Sequence, residues 1–519
     1  MATVSLSSTK GKWVMVATIL PSAMAFIDAT ALNVVLPALQ KDLDASGSEV
    51  FWVLNSYLLM LASLILIGGA MGDKLGRKKV FMCGIVLFIV GSAACGVAGS
   101  VNMLIVCRAI QGMGGAFMIP GSLSLISSII NPKERGKAIG TWSAFTTVVT
   151  MGGPVLGGAL ADAGLWRYIF FINIPIGVAA FLMLAFRVDE TRDNSVDKTL
   201  DFPGAITIAL ALALLTFGFL RVPQTGWGSF QSYGSLAGGI LFLIIFIVIE
   251  KKSTHPMVPL RLFKNPVFTG VNLLTFFLYA GLGAGMLFLS LNLVQVQGYS
   301  QLQSGLTFLP FTVLMVILAR FAGSLADKYG PKLFLIAGPA LAGTGLLILS
   351  FIEKTNGAAE YFTTFFPGIL VLGLGMSATV APLTATVMSS VSDDFSGTAS
   401  GVNNAMTRIS GVFANAIFGA LAVLFFSSAL TKQIDRLPIN SKQKQYVLQQ
   451  AANLGDAKVP ANVTTEQKIV IKGSYNLSFI YAYSNIMRIS AALGFLGALM
   501  ALFFIPGKIK ERQRALSNS

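Results

Sequence analysis

One carboxylate and one guanidinium lie deep within long apolar stretches of this chain. Asp28 is about fifteen residues into the first apolar run, roughly 22 Å along a helix. Arg108 is about six residues after the start of the fourth run, which begins at the opposite surface, so it lies roughly 9 Å deep. In a hydrocarbon layer of about 30 Å these depths nearly coincide. We expect the two charges to pair if their helices are neighbours.

A charge placed in hydrocarbon is costly, so an acidic residue at this depth suggests a function. Burial favours the neutral acid form of Asp28, whereas a neighbouring Arg108 favours the carboxylate. These opposing effects let Asp28 take up and release a proton, and we predict that the two residues couple proton movement to the protein's work. A purely structural ion pair is the alternative interpretation.

Polar and small residues share one face of the fourth run. Arg108, Gln111, Gly112 and Gly115 follow the i, i+3, i+4, i+7 spacing of a helix face. This face is expected to point into the protein. The residues predicted to line a substrate cavity are Asn33, Tyr57, Gln111 and Asn173.

A compact charged turn occurs twice between apolar runs, at 69–78 and again at 323–332. In the first copy Asp73 is expected just before the third helix, whose dipole favours an anion there. The alternative is that its cations only orient the protein in the membrane. The residues predicted to form a gating turn are Gly69, Asp73, Gly76, Arg77 and Asp327.

The fifth apolar run contains a glycine- and proline-rich stretch. Pro154 removes a helix hydrogen bond and permits a kink, while Gly153 and Gly157 let a second helix approach closely. We predict that Gly153, Pro154, Gly157 and Gly158 form a hinge. A simple packing groove is the alternative.

The elements that must position these residues are membrane-spanning helices. The chain has 519 residues, of which 54% are hydrophobic and 11% charged, against about 25% charged in globular proteins. Apolar runs long enough to span a bilayer occur at 13–36, 51–71, 80–99, 102–126, 138–161, 168–187, 203–222, 234–249, 268–290, 305–326, 333–352, 362–388, 402–428 and 479–505. The sequence therefore predicts an all-α integral membrane protein with 14 transmembrane helices.

The repeated turn indicates two pseudo-symmetric six-helix halves with two helices inserted between them, a 6+2+6 arrangement. The predicted units are residues 1–187, 188–266 and 267–519, with an external loop at 429–478. Duplicated halves suit alternating access to a central site.

The positions of the basic residues predict the orientation and exclude a nucleic-acid partner. Lys and Arg crowd the loops on one side, whereas the short loops on the other side hold only Lys41, Arg167 and Lys354. This bias places both termini in the cytoplasm. It also accounts for the net charge of +15. One histidine and three separate cysteines offer no metal site, and no cofactor is expected.

Together these motifs resemble the major facilitator superfamily, and more closely its fourteen-span branch of drug:proton antiporters, the Emr/Qac-type multidrug exporters. The stretches that carry the resemblance are 27–37, 52–57, 69–78, 108–112, 153–158 and 166–175. Two positions depart from that pattern. Val149 stands where the antiporter motif usually has glycine. The thirteenth run contains Arg408 and no carboxylate, whereas several relatives that export multivalent cations carry an acid there.

The resemblance implies a major facilitator fold and a proton-coupled exporter of amphipathic small molecules or drugs, acting as a monomer in a bacterial-type cytoplasmic membrane. Its partners would be the substrate, protons and the lipid bilayer. A dedicated exporter of one metabolite, siderophore or lipid is the alternative. A membrane enzyme would need clustered catalytic groups, which the sequence does not offer, and a sensor would need an appended soluble domain.

The predicted topology can be tested by chemical labelling. Cysteines introduced at Ser441 and at Ser195 should react from opposite sides of intact cells, with Ser441 outside, because the span count is even and the charge bias is strong. Labelling of both positions from outside would contradict this topology.

Overall fold

The structure is a computed structural model, and it describes residues 4–131, 134–191, 201–254, 256, 258–391, 396–434 and 439–506. Throughout these residues the secondary structure is helical, apart from turns, coil and one isolated β-bridge between Val4 and Ile130. The prediction of an all-α protein is confirmed. The loop containing Ser195 lies outside the described residues.

Long helices form because apolar runs are separated by short segments rich in glycine, serine or proline. Numbered in chain order, the α-helices are α1 (Thr9–Asp42), α2 (Gly47–Leu75), α3 (Arg77–Gly96), α4 (Val101–Ile129), α5 (Arg135–Asp162), α6 (Tyr168–Phe171), α7 (Asn173–Arg187), α8 (Phe202–Thr225), α9 (Phe230–Lys252), α10 (Pro266–Gln295), α11 (Gln301–Thr307), α12 (Leu309–Tyr329), α13 (Lys332–Leu349), α14 (Phe365–Ser389), α15 (Ser396–Ile434), α16 (Ser441–Gln449) and α17 (Thr465–Phe504). Shorter 3-10 helices lie at Leu260–Lys264, Ala358–Glu360 and Gln450–Asp456.

Thirteen helices in the described part of the chain are long and apolar enough to cross a membrane. Each overlaps one of the predicted runs. The remaining run, 138–161, lies within α5, which packs against α1 in the same bundle. The count of fourteen spans therefore stays a prediction.

Two spans are interrupted close to their start, and proline explains both breaks. Helix α6 is followed at once by α7, which has Pro175 in its first turn, and α11 is followed by α12, which has Pro310 in its first turn. Proline has no backbone N–H, so it is tolerated where that N–H would be unpaired. The first residue of α7, Asn173, consequently lies at a break in the span.

Helix α1 begins and helix α17 ends at the same end of the bundle. α1 runs parallel to α10, because Asn33 and Gln40 of α1 contact Ser290 and Gln295 of α10 in the same order. The first turns of α10 lie against Phe504, at the end of α17. We call this end the termini side and the other end the opposite side.

On the opposite side, the helices of residues 1–187 are joined to those of residues 267–519. The Asp162 carboxylate at the end of α5 accepts hydrogen bonds from the backbone N–H groups of Gln301 and Leu302, at 2.8 and 2.9 Å. These amides open α11, whose first-turn N–H groups have no partner within the helix. We call the helices of residues 1–187 the first group and those of residues 267–519 the second group. The contact holds the two groups together on the opposite side.

Helices α8 and α9 form an antiparallel pair. A Cβ atom at Gly218 or Gly239 would lie 2.7 or 2.6 Å from a leucine of the other helix, so the two backbones are close. α8 also packs on α2 and α15, while α9 leaves Ile240 and Ile244 about half exposed. This placement is compatible with a pair inserted between two six-helix units, and that division stays a prediction.

The ends of the predicted external loop, 429–478, are helical in the structure. Helix α15 continues to Ile434, and α17 begins at Thr465, well before the apolar run at 479–505. Thr464 and Gln467 form a capping box that starts α17 early. Since a helix of 40 residues is longer than a single span needs, the boundaries of the external loop stay a prediction.

Residues 439–464, which we call the strap, lie across the opposite side and contact the first group of helices. The carbonyl oxygen of Asn453 accepts a hydrogen bond from Gln40 at 3.4 Å. Lys458 forms an ion pair with Asp44, in the turn after α1. The strap belongs to the second group of helices, so it adds a further link between the groups.

The substitution Gly47→Ala should loosen the strap. The added Cβ atom would lie 2.3 Å from the carbonyl oxygen of Ala452, and a backbone atom cannot move away unless the strap shifts. Limited proteolysis of purified protein should cut residues 439–464 several-fold faster. Gly473→Ala is the matched control, because its Cβ would meet no atom within 4 Å. Equal cleavage of both variants would show that this contact does not hold the strap.

Candidate functional site

The structure places Asp28 of α1 against Arg108 of α4, inside the first group of helices. Arg108 Nη1 lies 2.5 Å from Asp28 Oδ2, and the side chains are 1% and 0% exposed. A hydrogen bond between two ionised groups is short and strong. The contact expected from the two depths is thus present in the structure.

Two side-chain amides complete the surroundings of the Asp28 carboxylate. Gln111 donates from Nε2 to Asp28 Oδ1 at 2.9 Å, and its Oε1 accepts from Arg108 at 2.7 Å. Asn173 Nδ2 lies 3.5 Å from the same Oδ1 and donates to the Ser92 hydroxyl at 2.9 Å. Hydrogen bonds to a carboxylate favour its charged form. The network therefore offsets part of the cost of burying the charge.

Aromatic rings enclose the Arg108 guanidinium on its remaining sides. Its Cζ atom lies 4.2 Å from the ring centroid of Tyr57 and 5.9 Å from that of Phe170. Its Nε atom donates to the carbonyl oxygen of Val53 at 3.4 Å. Since Val53 and Tyr57 belong to α2, that helix is in direct contact with the charged pair.

Glycines bring α4 close enough to its neighbours to make this network. A Cβ atom at Gly112 would lie 2.3 Å from the carbonyl oxygen of Tyr57 on α2. One at Gly91 of α3 would lie 2.7 Å from the backbone nitrogen of Gln111. Real Cβ atoms do not approach backbone atoms so closely, so these positions require glycine. The polar face of α4 is fixed between α2 and α3 as a result.

Three of the four residues predicted to line a substrate cavity belong to the buried network instead. Tyr57, Gln111 and Asn173 are at most 1% exposed, because they stack on the charged pair or bond to it. Asn33 is partly exposed and lies apart, where α1 meets α10. Sequence reasoning missed Ser92, because a single serine in an apolar helix is common in ordinary packing.

The charged turn between α2 and α3 has an anion that the sequence did not point to. Helix α2 continues through Asp73, and Gly76, with φ of +112°, ends it. The backbone of Asp73 therefore lies in the last turn of α2. The carboxylate of Glu190 accepts from the first amides of α3, Lys78 N at 2.9 Å and Lys79 N at 3.2 Å. Glu190 is the residue at the positive end of that helix dipole.

The other residues of the predicted gating turn differ in their contacts. The Arg77 amide donates to the carbonyl oxygen of Thr191 at 2.8 Å. A Cβ atom at Gly69 would have ordinary contacts, whereas one at the neighbouring Gly68 would lie 2.3 Å from a backbone oxygen of α4. The side chains of Asp73 and Asp327 lie outside the described residues. Gly330 ends α12 with φ of +93°, so the second turn repeats the geometry of the first.

The predicted hinge residues of α5 are positions of close helix contact. A Cβ atom at Gly153 or Gly157 would lie 2.0 or 2.7 Å from atoms of α1. Pro154 cannot donate to the carbonyl oxygen of Thr150, one turn earlier. The Thr30 hydroxyl of α1 donates to that oxygen at 3.2 Å. The proline thus supplies a link between two helices as well as a site where α5 can bend.

The next part of the same motif faces the second group of helices. A Cβ atom at Gly158 would lie 2.4 Å from the carbonyl oxygen of Gln301, and one at Gly305 would lie 2.3 Å from the carbonyl oxygen of Pro154. Helices α5 and α11 therefore touch backbone to backbone on the opposite side. The motif is built for contact between the groups, and any hinge motion of α5 would have to break this contact.

A bundle of spanning helices with a charged pair in its interior has the architecture of a membrane transporter. Among the described residues there is no cluster suited to hold a metal ion. The sequence matches the family model of the Major Facilitator Superfamily over residues 19–415. The chain belongs to that superfamily, and it is a multi-pass membrane transporter and not an enzyme.

Relatives similar in sequence are named for export or drug resistance. The tetracenomycin C resistance and export protein of Streptomyces glaucescens is 29% identical over 94% of this chain and 90% of its own length. The multidrug transporter protein MdtP of Bacillus subtilis is 29% identical over 79% and 76%. The multidrug resistance protein Stp of Mycobacterium tuberculosis is 31% identical over 81% and 78%.

Solved structures with the same fold are more distant in sequence. An inward-facing, unoccupied bacterial homologue of the human lysosomal transporter Spinster superposes with a TM-score of 0.66 at 18% identity, covering 96% of this chain and 98% of its own. The xylose transporter XylE of E. coli, in an inward-open state, gives 0.59 at 15% identity over 98% and 99%. These likenesses establish the major facilitator fold.

Gly158→Ala should weaken the closure of the opposite side, because the new Cβ atom would force α5 and α11 apart. In a cysteine-free background, a cysteine introduced at Ser304, which is 0% exposed, should then react with a maleimide about tenfold faster, as expected for a contact worth about 1.4 kcal/mol. Gly152→Ala serves as control, since its Cβ would meet no atom within 4 Å. An unchanged rate in Gly158→Ala would mean that this contact does not hold the groups closed.

Proposed function

We propose that this transporter is a proton-coupled exporter, an antiporter that expels amphipathic small molecules or drugs across the cytoplasmic membrane. The observation that carries the proposal is the fully buried pair of Asp28 and Arg108. The names of the similar exporters support the direction of transport and the kind of substrate. The protein would act as a monomer.

Asp28 has the surroundings of a group that changes its charge during a cycle. As a carboxylate it is balanced by Arg108 and by two amide donors. When it binds a proton the ion pair is lost, and Arg108 is left with a neutral partner in a buried place, which is costly. The two protonation states therefore favour different arrangements of the helices around the pair.

The side-chain amide of Asn173 can form a hydrogen bond with Asp28 in either protonation state of Asp28. Its Nδ2 faces Asp28 Oδ1, while its Oδ1 has no hydrogen-bond partner among the described residues. If Asp28 Oδ1 takes up the proton, that oxygen becomes a donor. A half turn of the amide would then direct the unpaired Asn173 oxygen at the new O–H group, at the cost of the hydrogen bond from Asn173 Nδ2 to Ser92.

Helix α2 is the element that would transmit the change to the second group of helices. On one side, the carbonyl oxygen of Val53 and the ring of Tyr57 contact Arg108. On the other side Phe51 stacks at 5.8 Å from Phe288 of α10, and its ring lies against Gly419 of α15. A movement of the guanidinium on protonation would therefore shift α2 relative to α10 and α15.

The distribution of basic residues supports an orientation with both termini in the cytoplasm. The opposite side, closed by α5, α11 and the strap, would then be external. Protonation of Asp28 from outside would favour the inward-facing state. Substrate would bind from the cytoplasm and compete with the proton before the external side opens.

A dedicated exporter of one metabolite, siderophore or lipid would use the same machinery. The proton pair does not distinguish it from a multidrug exporter, because the pair does not touch an exposed surface. A transport screen in inside-out vesicles, with and without a proton gradient, separates the two, since a dedicated exporter would accept one chemical class only.

Asp28→Asn should abolish coupled export, because an amide cannot release a proton. Proton release on addition of substrate to detergent-solubilised protein should be seen in the wild type and lost in the variant. Asp42→Asn is the matched control, since Asp42 lies on the same helix and also pairs with an arginine at 2.5 Å, but at an exposed position. Equal release from wild type and Asp28→Asn would rule out Asp28 as the coupling site.

The partner residue needs its own variants, because a single change leaves an unpaired charge that costs about 3–5 kcal/mol. The double variant Asp28→Asn/Arg108→Gln removes both charges and should regain thermal stability without regaining proton release. Arg108→Ala should shift the pH optimum of transport upward, and Arg108→Lys should rescue only part of it, since lysine lacks the guanidinium fork. Recovery of coupling in the double variant would show that the pair is purely structural.

A further inference from the structure

We infer that Arg408 of α15 selects the substrate, and that it selects amphipathic molecules that carry a carboxylate or a similar anionic group. The inference rests on the proposed export function and adds to it the charge of the substrate. Arg408 faces the first group of helices across the centre of the bundle.

Arg408 lies at about the depth of the charged pair but on the other side of α1. Its Cζ atom is 5.7 Å from the ring centroid of Phe26. Phe26 precedes Asp28 by two residues, and two helical residues turn the direction by about 200°. Phe26 therefore faces the second group of helices, where Asp28 faces the interior of the first. Phe26 and Arg408 are both partly exposed, as residues lining a space between the groups would be.

No carboxylate of the described residues balances the charge of Arg408. Helices α10 and α15 contain no Asp or Glu, and the only acidic residue near the middle of α1 is Asp28, which is occupied by Arg108. In the part of the chain that the structure describes, no carboxylate lies within 4 Å of Arg408. One aromatic face offsets only part of the cost of a guanidinium inside a membrane. A bound anion would offset the rest.

Besides Phe26, which contacts this cation, aromatic side chains of both groups lie in its neighbourhood. On the first group, Phe26 packs edge-on against Trp142, with centroids 6.5 Å apart. On the second, Tyr279 lies within electrostatic range of Arg408. All three aromatic side chains are partly exposed. A planar guanidinium binds a carboxylate through two parallel hydrogen bonds, and the rings around it suit the apolar body of the same molecule.

The same cation is placed to act on the charged pair. Tyr57 stacks on Arg108 at 4.2 Å, and its phenol group is in electrostatic range of both Asp28 and Arg408. An anion bound at Arg408 would neutralise a positive charge close to Tyr57, and the field at Asp28 would become less positive. Binding of an anionic substrate and the charge of Asp28 would thereby affect each other.

The experiment measures binding without any proton gradient, in lipid nanodiscs at one pH. The probes are pyrenebutyrate, its methyl ester and pyrenebutylamine, which share one aromatic body and differ in charge, and the signal from lipid-only discs is subtracted. Wild-type protein should bind the carboxylate about tenfold more tightly than the ester, as for one added charge-assisted hydrogen-bond pair. Arg408→Gln should remove that preference, and Arg408→Lys should retain part of it.

The matched control is Arg488→Gln, since Arg488 lies within a spanning helix, α17, and also stacks on one ring, Phe351 at 5.6 Å. It should keep the full preference for the carboxylate. A wild type that prefers the ester or the amine would overturn the inference, even if Arg408→Gln fails to fold. An equal loss of all three probes in Arg408→Gln would also overturn it. Because no gradient is present, these outcomes do not depend on whether Asp28 couples protons.

Discussion

The cost of one buried ion pair governs the arrangement of the first group of helices. Asp28 and Arg108 are fully buried, and taking such charges out of water costs several kcal/mol per ion unless their remaining hydrogen bonds are satisfied. That requirement brings Gln111, Ser92 and Asn173 from three helices to one place. It also explains the glycines at which these helices touch, because side chains in hydrogen-bond contact need backbones that are close together.

The same use of glycine joins the two groups of helices. Backbone atoms of α5 and α11 meet at Gly158 and Gly305, and Asp162 caps the start of α11. In contacts of this kind the backbones fit closely and few flexible side chains lie between them. Such contacts are therefore either made or broken. A transporter that alternates between two states needs such contacts on the side that closes, and polar groups such as Asp162 make reopening to water less costly.

Features of the structure whose energetic cost depends on nearby residues can be predicted from the sequence. Features that depend on residues far away in the chain are predicted poorly. The depth of Asp28 and Arg108 follows from hydropathy and helix rise alone, and so did the expectation that they meet. Glu190 at the start of α3 was missed because it is far away in sequence. The start of α17 at Thr465 was missed because a capping box, and not hydropathy, sets it. The close contact at Gly68 in place of Gly69 depends on how α2 turns against α4, which periodicity does not fix.

The two central arginines differ in what surrounds them, and this difference has an energetic consequence for the proposed cycle. Arg108 is held by a carboxylate inside one group of helices, whereas Arg408 faces the space between the groups with a single aromatic contact. If an anion leaves the cell in exchange for an entering proton, two charges move with the membrane potential. Each contributes about 2.3 kcal/mol per 100 mV, so the potential drives the exchange twice over, whereas exchange of a singly charged cation for one proton would gain nothing from it. An arginine in the centre of the bundle that has no carboxylate partner among the described residues is therefore consistent with a pump that draws mainly on the membrane potential.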